Sequence, residues 1–253
     1  MSAVAVGAAA VSAAADVAAT IDALAVAVER WRIELVAHLG TERLRTAAAV
    51  DPLVEAFAVP AVTDGSLVTG SGFVAAPGLL SDAKWHLAWW LGSPGAEVQR
   101  LATVDDEAAD GFRDYTALEW WRVPFATGDA HLTGPYVDYL CTQDYAVTLT
   151  VPVVVGGEFL GVVGCDALVS RLEEQLLPVL RRLDARATVV NASARVVTST
   201  DSRHEPGDIL RFEGLAEVLS PLREQSPSAV DAVLPGGARV LSCGASSLAL
   251  VVG

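Results

Sequence analysis

Two apolar runs, Ala146 to Val155 and Phe159 to Gly164, stand on either side of Gly156-Gly157. Within the first, Val147-Thr148-Leu149-Thr150-Val151 alternates as a strand with one differing face does. Two glycines between valine-rich runs suit a two-residue turn with positive φ at both positions. The stretch is therefore expected to be an antiparallel hairpin, which commits the middle of the chain to a sheet. Upstream of it stand an aromatic cluster, Tyr115 to Trp121, and a turn-like segment, Thr133-Gly134-Pro135-Tyr136-Val137-Asp138. Asp166 closes the second run. Carboxylates and aromatics beside buried strands suit a pocket for a small cation better than a plain core.

The rest of the chain supplies helices and a second sheet. Val17, Ile21, Leu24, Val28, Trp31 and Leu35 recur at heptad spacing, which predicts a helix to about Leu39, ended by Gly40. This seam fits packing on the chain's own domain or on a second copy, so a homodimer is expected. Thr41 reads as the cap of a second helix, broken at Asp51-Pro52. Gly70-Ser71-Gly72 leads into a strand and reads as strand punctuation. Trp85 and Trp89 are four apart, and Leu80 to Glu97 reads as a helix laid on the sheet. Ser170, with Glu173 three residues on, reads as the capping box of a later helix kinked at Pro178. A second hairpin is expected over 187–199, a short helix over 215–222 and three closing strands, a unit of about five strands.

Charge and residue usage exclude several functions. Lys and Arg number 17 against 31 Asp and Glu, a net charge of -14, which disfavours direct nucleic-acid binding and favours cationic ligands. Four histidines are scattered without ligand spacing, so no metal is expected. No nucleophile elbow, phosphate loop or other cofactor motif is present, and an enzyme is not expected. Cys141, Cys165 and Cys243 lack any paired spacing and read as reduced, buried thiols. The N-terminal apolar stretch lacks a basic n-region and is interrupted at Asp16, before the roughly 20 residues of a bilayer span. The expectation is a soluble, cytoplasmic chain that contacts no membrane.

The order of these features resembles one family. An aromatic pair, then Gly-Pro-Tyr-Val-Asp, then a Thr-rich strand ending in Val-Pro-Val, then Gly-Val-Val-Gly-x-Asp, is similar to Cache domains, the PAS-like sensor modules of bacterial signalling proteins. The match is densest from Tyr115 to Leu172. The resemblance implies an α+β fold of double Cache type: a long N-terminal helix, a PAS-like antiparallel sheet module and a smaller second α/β module. The corresponding bounds are 1–60 for the helical segment, 61–169 for the ligand-binding module and 170–253 for the second module.

The resemblance also implies a ligand site. By position, Tyr136, Asp138 and Asp166 match the residues that hold an ammonium group in amine- and amino-acid-sensing members, and Trp120 and Trp121 match the aromatic pair lining the same pocket. Tyr115 belongs to that cluster. The arginine that grips the carboxylate of amino acids is replaced by Leu118, and an aromatic position by Arg113, so either the ligand lacks a carboxylate or Arg113 or Arg122 grips it from a new place. The chemistry is coherent, since a primary ammonium has three donors and two carboxylates with a phenol oxygen accept all three. Trp faces attract cations as well. The expected function is a sensor for a small cationic or zwitterionic metabolite, an amine or an amino-acid-like compound, that signals to a separate transcriptional or signalling protein. The alternative is a structural or protein-interaction module without a ligand.

Overall fold

The computed structural model describes residues 3–63, 66–93, 95–138, 144–224 and 228–253, with no side chains before Gly7. Two elements of the sequence reading, the turn at Asp64-Gly65 and the thiol of Cys141, lie outside the described residues. The chain forms two compact units, one of residues 24–133 and 148–167, the other of residues 1–23, 134–147 and 168–253. The α+β class expected from the sequence is observed, with a long N-terminal helix and two antiparallel sheets.

Helix α1 spans Ala3–Leu39. Every residue of the heptad seam is buried: Val17, Ile21, Leu24, Val28, Trp31 and Leu35 are all at most 6% exposed. Of the two uses open to that seam, the chain itself takes one. In the C-terminal unit, Arg239 donates to the carbonyl of Gly7 at 3.1 Å. In the larger-sheet unit, Trp31 stacks on Phe57 with centroids 5.1 Å apart. Gly7–Leu39 is also long and apolar enough to cross a membrane, with a hydropathy of 1.7, so the expectation that no run reaches span length is corrected. Asp16 and Asp22 interrupt the sequence but not the helix.

Helix α2, Ala47–Ala61, starts five residues later than expected. Its cap is Thr46, whose side chain accepts from the amide of Ala49 at 3.2 Å, while 42–44 form a single 3-10 turn. The helix also runs through Pro52 without ending there.

The larger sheet has six strands in the order β3-β2-β1-β6-β5-β4. They are β1 (Val68–Ala75), β2 (Leu87–Leu91), β3 (Gln99–Arg100), β4 (His131–Val137), β5 (Tyr145–Val155) and β6 (Glu158–Leu168). The hairpin that opened the sequence reading is β5-β6, and its Gly156 and Gly157 take φ of 59° and 88°. Two expectations fail here. Leu87 to Leu91 is a strand rather than a helix, because a short run buried on both faces shows no alternation that distinguishes the two. Residues 131–137 are strand rather than turn, with Gly134 at φ 110° where a Cβ would stand 2.7 Å from the carbonyl of Ala146. Helix α3, Glu119–Thr127, lies in the connection from β3 to β4.

In the C-terminal unit, helix α4, Val169–Leu180, begins one residue before Ser170, with Leu168 at the cap position and no side-chain cap bond. Glu173 instead accepts from the hydroxyl of Thr198 at 3.1 Å. A five-stranded sheet follows, ordered β8-β7-β11-β10-β9. Its strands are β7 (Ala187–Asn191), β8 (Val196–Ser199), β9 (Asp231–Val233), β10 (Arg239–Ser242) and β11 (Leu248–Val252), with a short helix α5 at Leu215–Val218. One face packs Val190, Val196, Val240 and Val251 against Leu210, Leu215, Leu219 and Leu222. The second hairpin, the short helix and the five strands read from the sequence are all present.

Candidate functional site

The central strands of the larger sheet set its two faces apart. β1 and β6 pair Gly70 with Asp166, Gly72 with Gly164 and Val74 with Val162, and β1 and β2 pair Gly72 with Trp89. The intervening residues point the other way: the hydroxyl of Ser71 donates to the carbonyl of Ala58, so α2 covers that side. The side carrying Gly70, Trp89 and Asp166 lies under the β3–β4 connection, where the hydroxyl of Thr150 donates to the carbonyl of Trp120 at 2.7 Å.

Asp166 is a buried carboxylate, 7% exposed. The hydroxyl of Thr148 donates to its Oδ1 at 2.6 Å. Its Oδ2 lies over Gly70, 2.7 Å from where a Cβ would stand, and the indole Nε1 of Trp89 lies 2.8 Å from the same point. Only glycine at position 70 leaves room for both groups. Burying a carboxylate is costly unless polar groups face it, so its placement here is a chemical statement as much as a structural one. The neighbouring thiol of Cys165 is pushed far up by burial and by the charge of Asp166, which keeps it protonated. Cys243 is likewise buried, its thiol pushed up to about 12 by burial.

The cover is aromatic. Tyr115 packs between Trp85 at 5.1 Å, Trp121 at 5.1 Å and Trp120 at 6.4 Å. Trp121 meets Phe159 edge-on at 5.3 Å. Together with Val74, Trp89 and Val162 these rings form one cluster. The phenol of Tyr115 donates to the carbonyl of Ala75 at 2.7 Å, pinning the connection to the end of β1. Burial raises its pKa to about 12. The first residue of α3, Glu119, meets His131 of β4 at 3.0 Å, and that hydrogen bond holds its carboxyl below the usual range.

Among the residues singled out in the sequence, Tyr115, Trp120 and Trp121 come together in the cover, and Trp89 joins them to Asp166. Arg113 is exposed and donates to the carbonyl of its neighbour Phe112, and Arg122 and Leu118 are exposed as well. Tyr136 and Asp138 belong to the C-terminal unit. Tyr136 lies partly buried in β4, and Asp138 is buried just beyond it, its amide donating to the carbonyl of Asp144 at 3.0 Å. Sequence reasoning did not place Gly70, Trp89 or Thr148 beside Asp166. The signal for Gly70 was the alternation in Gly70-Ser71-Gly72, which removes side chains from one face only. Among the described residues, no group of three or more His, Cys, Asp or Glu is placed to hold a metal.

Residues 96–174 match the family model for the first PDC sensor domain of methyl-accepting chemotaxis protein-like chains. The fold is similar to "Methyl-accepting Chemotaxis protein X", with a TM-score of 0.67 at 17% identity over 98% of this chain and 95% of that one. It is also similar to the extracellular domain assigned to the histidine kinase mmHK1S-Z3, with a TM-score of 0.63 at 16% identity over 94% of this chain and 89% of that one. A third similar structure is the ligand-binding domain of the amino acid chemoreceptor PctB of Pseudomonas aeruginosa PAO1 in complex with L-Arg, with a TM-score of 0.53 at 16% identity over 95% of this chain and 89% of that one. No curated protein matches the sequence. The resemblance to Cache, or PDC, sensor domains is thus borne out by a matching family model and by the fold. The cytoplasmic expectation is overturned: a histidine-kinase domain of this fold is extracellular, and α1 contains a stretch long and apolar enough to span a membrane.

Proposed function

We propose that the chain is an extracytoplasmic ligand-sensing domain that binds the ammonium group of a small amine or amino acid and passes its occupancy to a signalling protein. The observation that carries this reading is Asp166: a carboxylate buried on a sheet face, oriented by Thr148 and roofed by an indole-rich cover. A carboxylate offers two oxygens to an ammonium donor, and each charge-assisted hydrogen bond contributes about 1.5–3 kcal/mol. Trp faces add about 0.5–2 kcal/mol for a cation depending on desolvation. Tyr136 and Asp138 enter the reading on their sequence spacing alone, as do Trp120 and Trp121 for the pocket lining. The complex of the similarly folded chemoreceptor with L-Arg supports the same ligand class.

A thermal-shift screen of the whole chain against primary amines and the L-amino acids tests this reading. The expected result is a rise in Tm with cationic or zwitterionic compounds that neutral analogues do not produce. A flat response to every ammonium compound would count against it.

A further inference from the structure

One edge of the five-stranded sheet gathers arginines of the C-terminal unit. β7 and β11 pair Ala187 with Val252, and β10 and β11 pair Arg239 with Val252. The amide of Thr200, just past β8, donates to the carbonyl of Ala187. The starts of β7 and β10 and the ends of β8 and β11 therefore lie in one row. The start of α1 lies at the same row, where Arg239 donates to the carbonyl of Gly7 at 3.1 Å. The connection from α4 to β7 carries Arg181, Arg182 and Arg186 to this edge, and the turn after β8 carries Arg203. Arg181 and Arg182 are exposed, and Arg186 and Arg203 each keep 67% of the side-chain surface in solvent.

Carboxylates do not cancel this charge. Asp201 takes Arg203 at 2.6 Å and lies 3.5 Å from Arg186, and Asp184 stands exposed in the α4–β7 connection. Arg239 is matched by Asp231 at 2.8 Å. The edge thus keeps a positive surplus in a chain whose net charge is -14. Glu173 and Glu174, in the first half of α4, are about 10 Å from Arg181 along the helix axis, a separation at which salt screens exposed charges. A guanidinium presents its donors in a planar fork that fits a phosphate. Beside these arginines, α1 starts with no charged side chain before Asp16. Cations next to an uncharged helix start complement the two layers of a lipid surface, phosphates outside and acyl chains beneath. We propose that this edge docks on the phosphate headgroups of an anionic lipid surface, with Arg181, Arg182, Arg186 and Arg203 as its contacts. The uncharged start of α1 on the same edge favours a lipid surface over a soluble phosphate. The acidic remainder of the chain makes the contact one-sided, so it sets the orientation of the C-terminal unit on the surface. This inference stands apart from the ligand reading of Asp166.

The test is co-sedimentation of the full chain with vesicles of phosphatidylcholine alone or with about 25% phosphatidylglycerol. Wild type is compared with a variant combining Arg181→Gln, Arg182→Gln and Arg186→Gln, all at exposed positions. Arg211→Gln is the control. Arg211 is exposed and follows Leu210, whose amide donates to the carbonyl of Ala194 in the β7–β8 turn, at the opposite edge. Wild type is expected to bind the anionic vesicles about tenfold or more tighter than the neutral ones at about 50 mM salt, and to lose that preference at about 300 mM. Each contacting arginine contributes about fivefold, so the combined variant is expected to lose about tenfold or more. Arg211→Gln is expected to stay within about twofold of wild type. Circular dichroism checks that both variants keep the fold. Equal binding to neutral and anionic vesicles overturns the inference, because the start of α1 alone would then account for it. No binding to anionic vesicles overturns it, as does wild-type binding by the combined variant. Displacement by inorganic phosphate beyond that by chloride at equal ionic strength assigns the edge to a soluble anion and overturns it as well. None of these outcomes bears on the sensor reading, whose own test is the thermal-shift screen.

Discussion

The hydroxyl of Thr148 and the carboxylate of Asp166 meet across β5 and β6 at 2.6 Å, both residues being buried. That bond fixes one oxygen of Asp166 and turns the other over Gly70. Thr148→Val removes the donor and leaves the side-chain volume unchanged. The expected cost is about 1–3 kcal/mol of stability, read as a lower urea midpoint with an unchanged slope.

Gly70 is the position where the site has no slack. A methyl group there would stand 2.7 Å from Asp166 Oδ2 and 2.8 Å from Trp89 Nε1, inside contact distance of both. Both obstacles are side-chain ends that can move. Gly70→Ala is therefore expected to fold, to lose about 1–3 kcal/mol of stability, and to weaken ligand binding by more than tenfold. Calorimetry and urea unfolding on the same preparation check the two effects separately.

Tyr115 gives the cover an alkaline signature. Its folded pKa, raised to about 12 chiefly by burial, lies above the ordinary tyrosine value of roughly 10. The neutral phenol is thus favoured in the folded state. Its contribution is fully present below pH ~10 and is lost as pH rises toward 12. Ultraviolet titration should show one of the 4 tyrosines ionising late, and Tyr115→Phe should remove that step. A late step that survives the substitution would contradict the assignment.

Glu119 gives the same region an acid signature of opposite sign. Its carboxyl is held low by His131, so its stabilisation is present above the ordinary glutamate value of roughly 4.3 and is lost as pH falls through the lowered value. The group is half exposed, and solvent screening limits the effect to about 0.2–1 kcal/mol. The Tm difference between wild type and Glu119→Gln should be measurable at pH 6 and should shrink as pH falls below about 4.

Much of the fold was legible because its signals are local. Gly156-Gly157 specified the central hairpin, and the heptad seam from Val17 to Leu35 specified α1. The failures share one cause, which is that tertiary pairing decided between readings that local pattern left equal. Leu87 to Leu91 became a strand by insertion between β1 and β3, and the Gly134 stretch became β4 because its backbone passes tightly along β5. The candidate site was half legible for the same reason. Asp166 and the Tyr115–Trp121 cluster carry a sequence pattern, whereas Trp89, Thr148 and Gly70 reach Asp166 only through strand register. The membrane-related error had a different source. Asp16 and Asp22 interrupt the hydropathy of the sequence, but a helix is judged over a longer window than the run that ends at Asp16.

The most direct test of Asp166 as the ammonium acceptor is calorimetric titration of wild type and Asp166→Asn with whichever amine or amino acid gives the largest thermal shift. The substitution keeps shape and can still accept from Thr148, so the fold should persist, as circular dichroism would show. The account predicts a loss of affinity of about 10- to 100-fold. Equal affinity in the two proteins would contradict it.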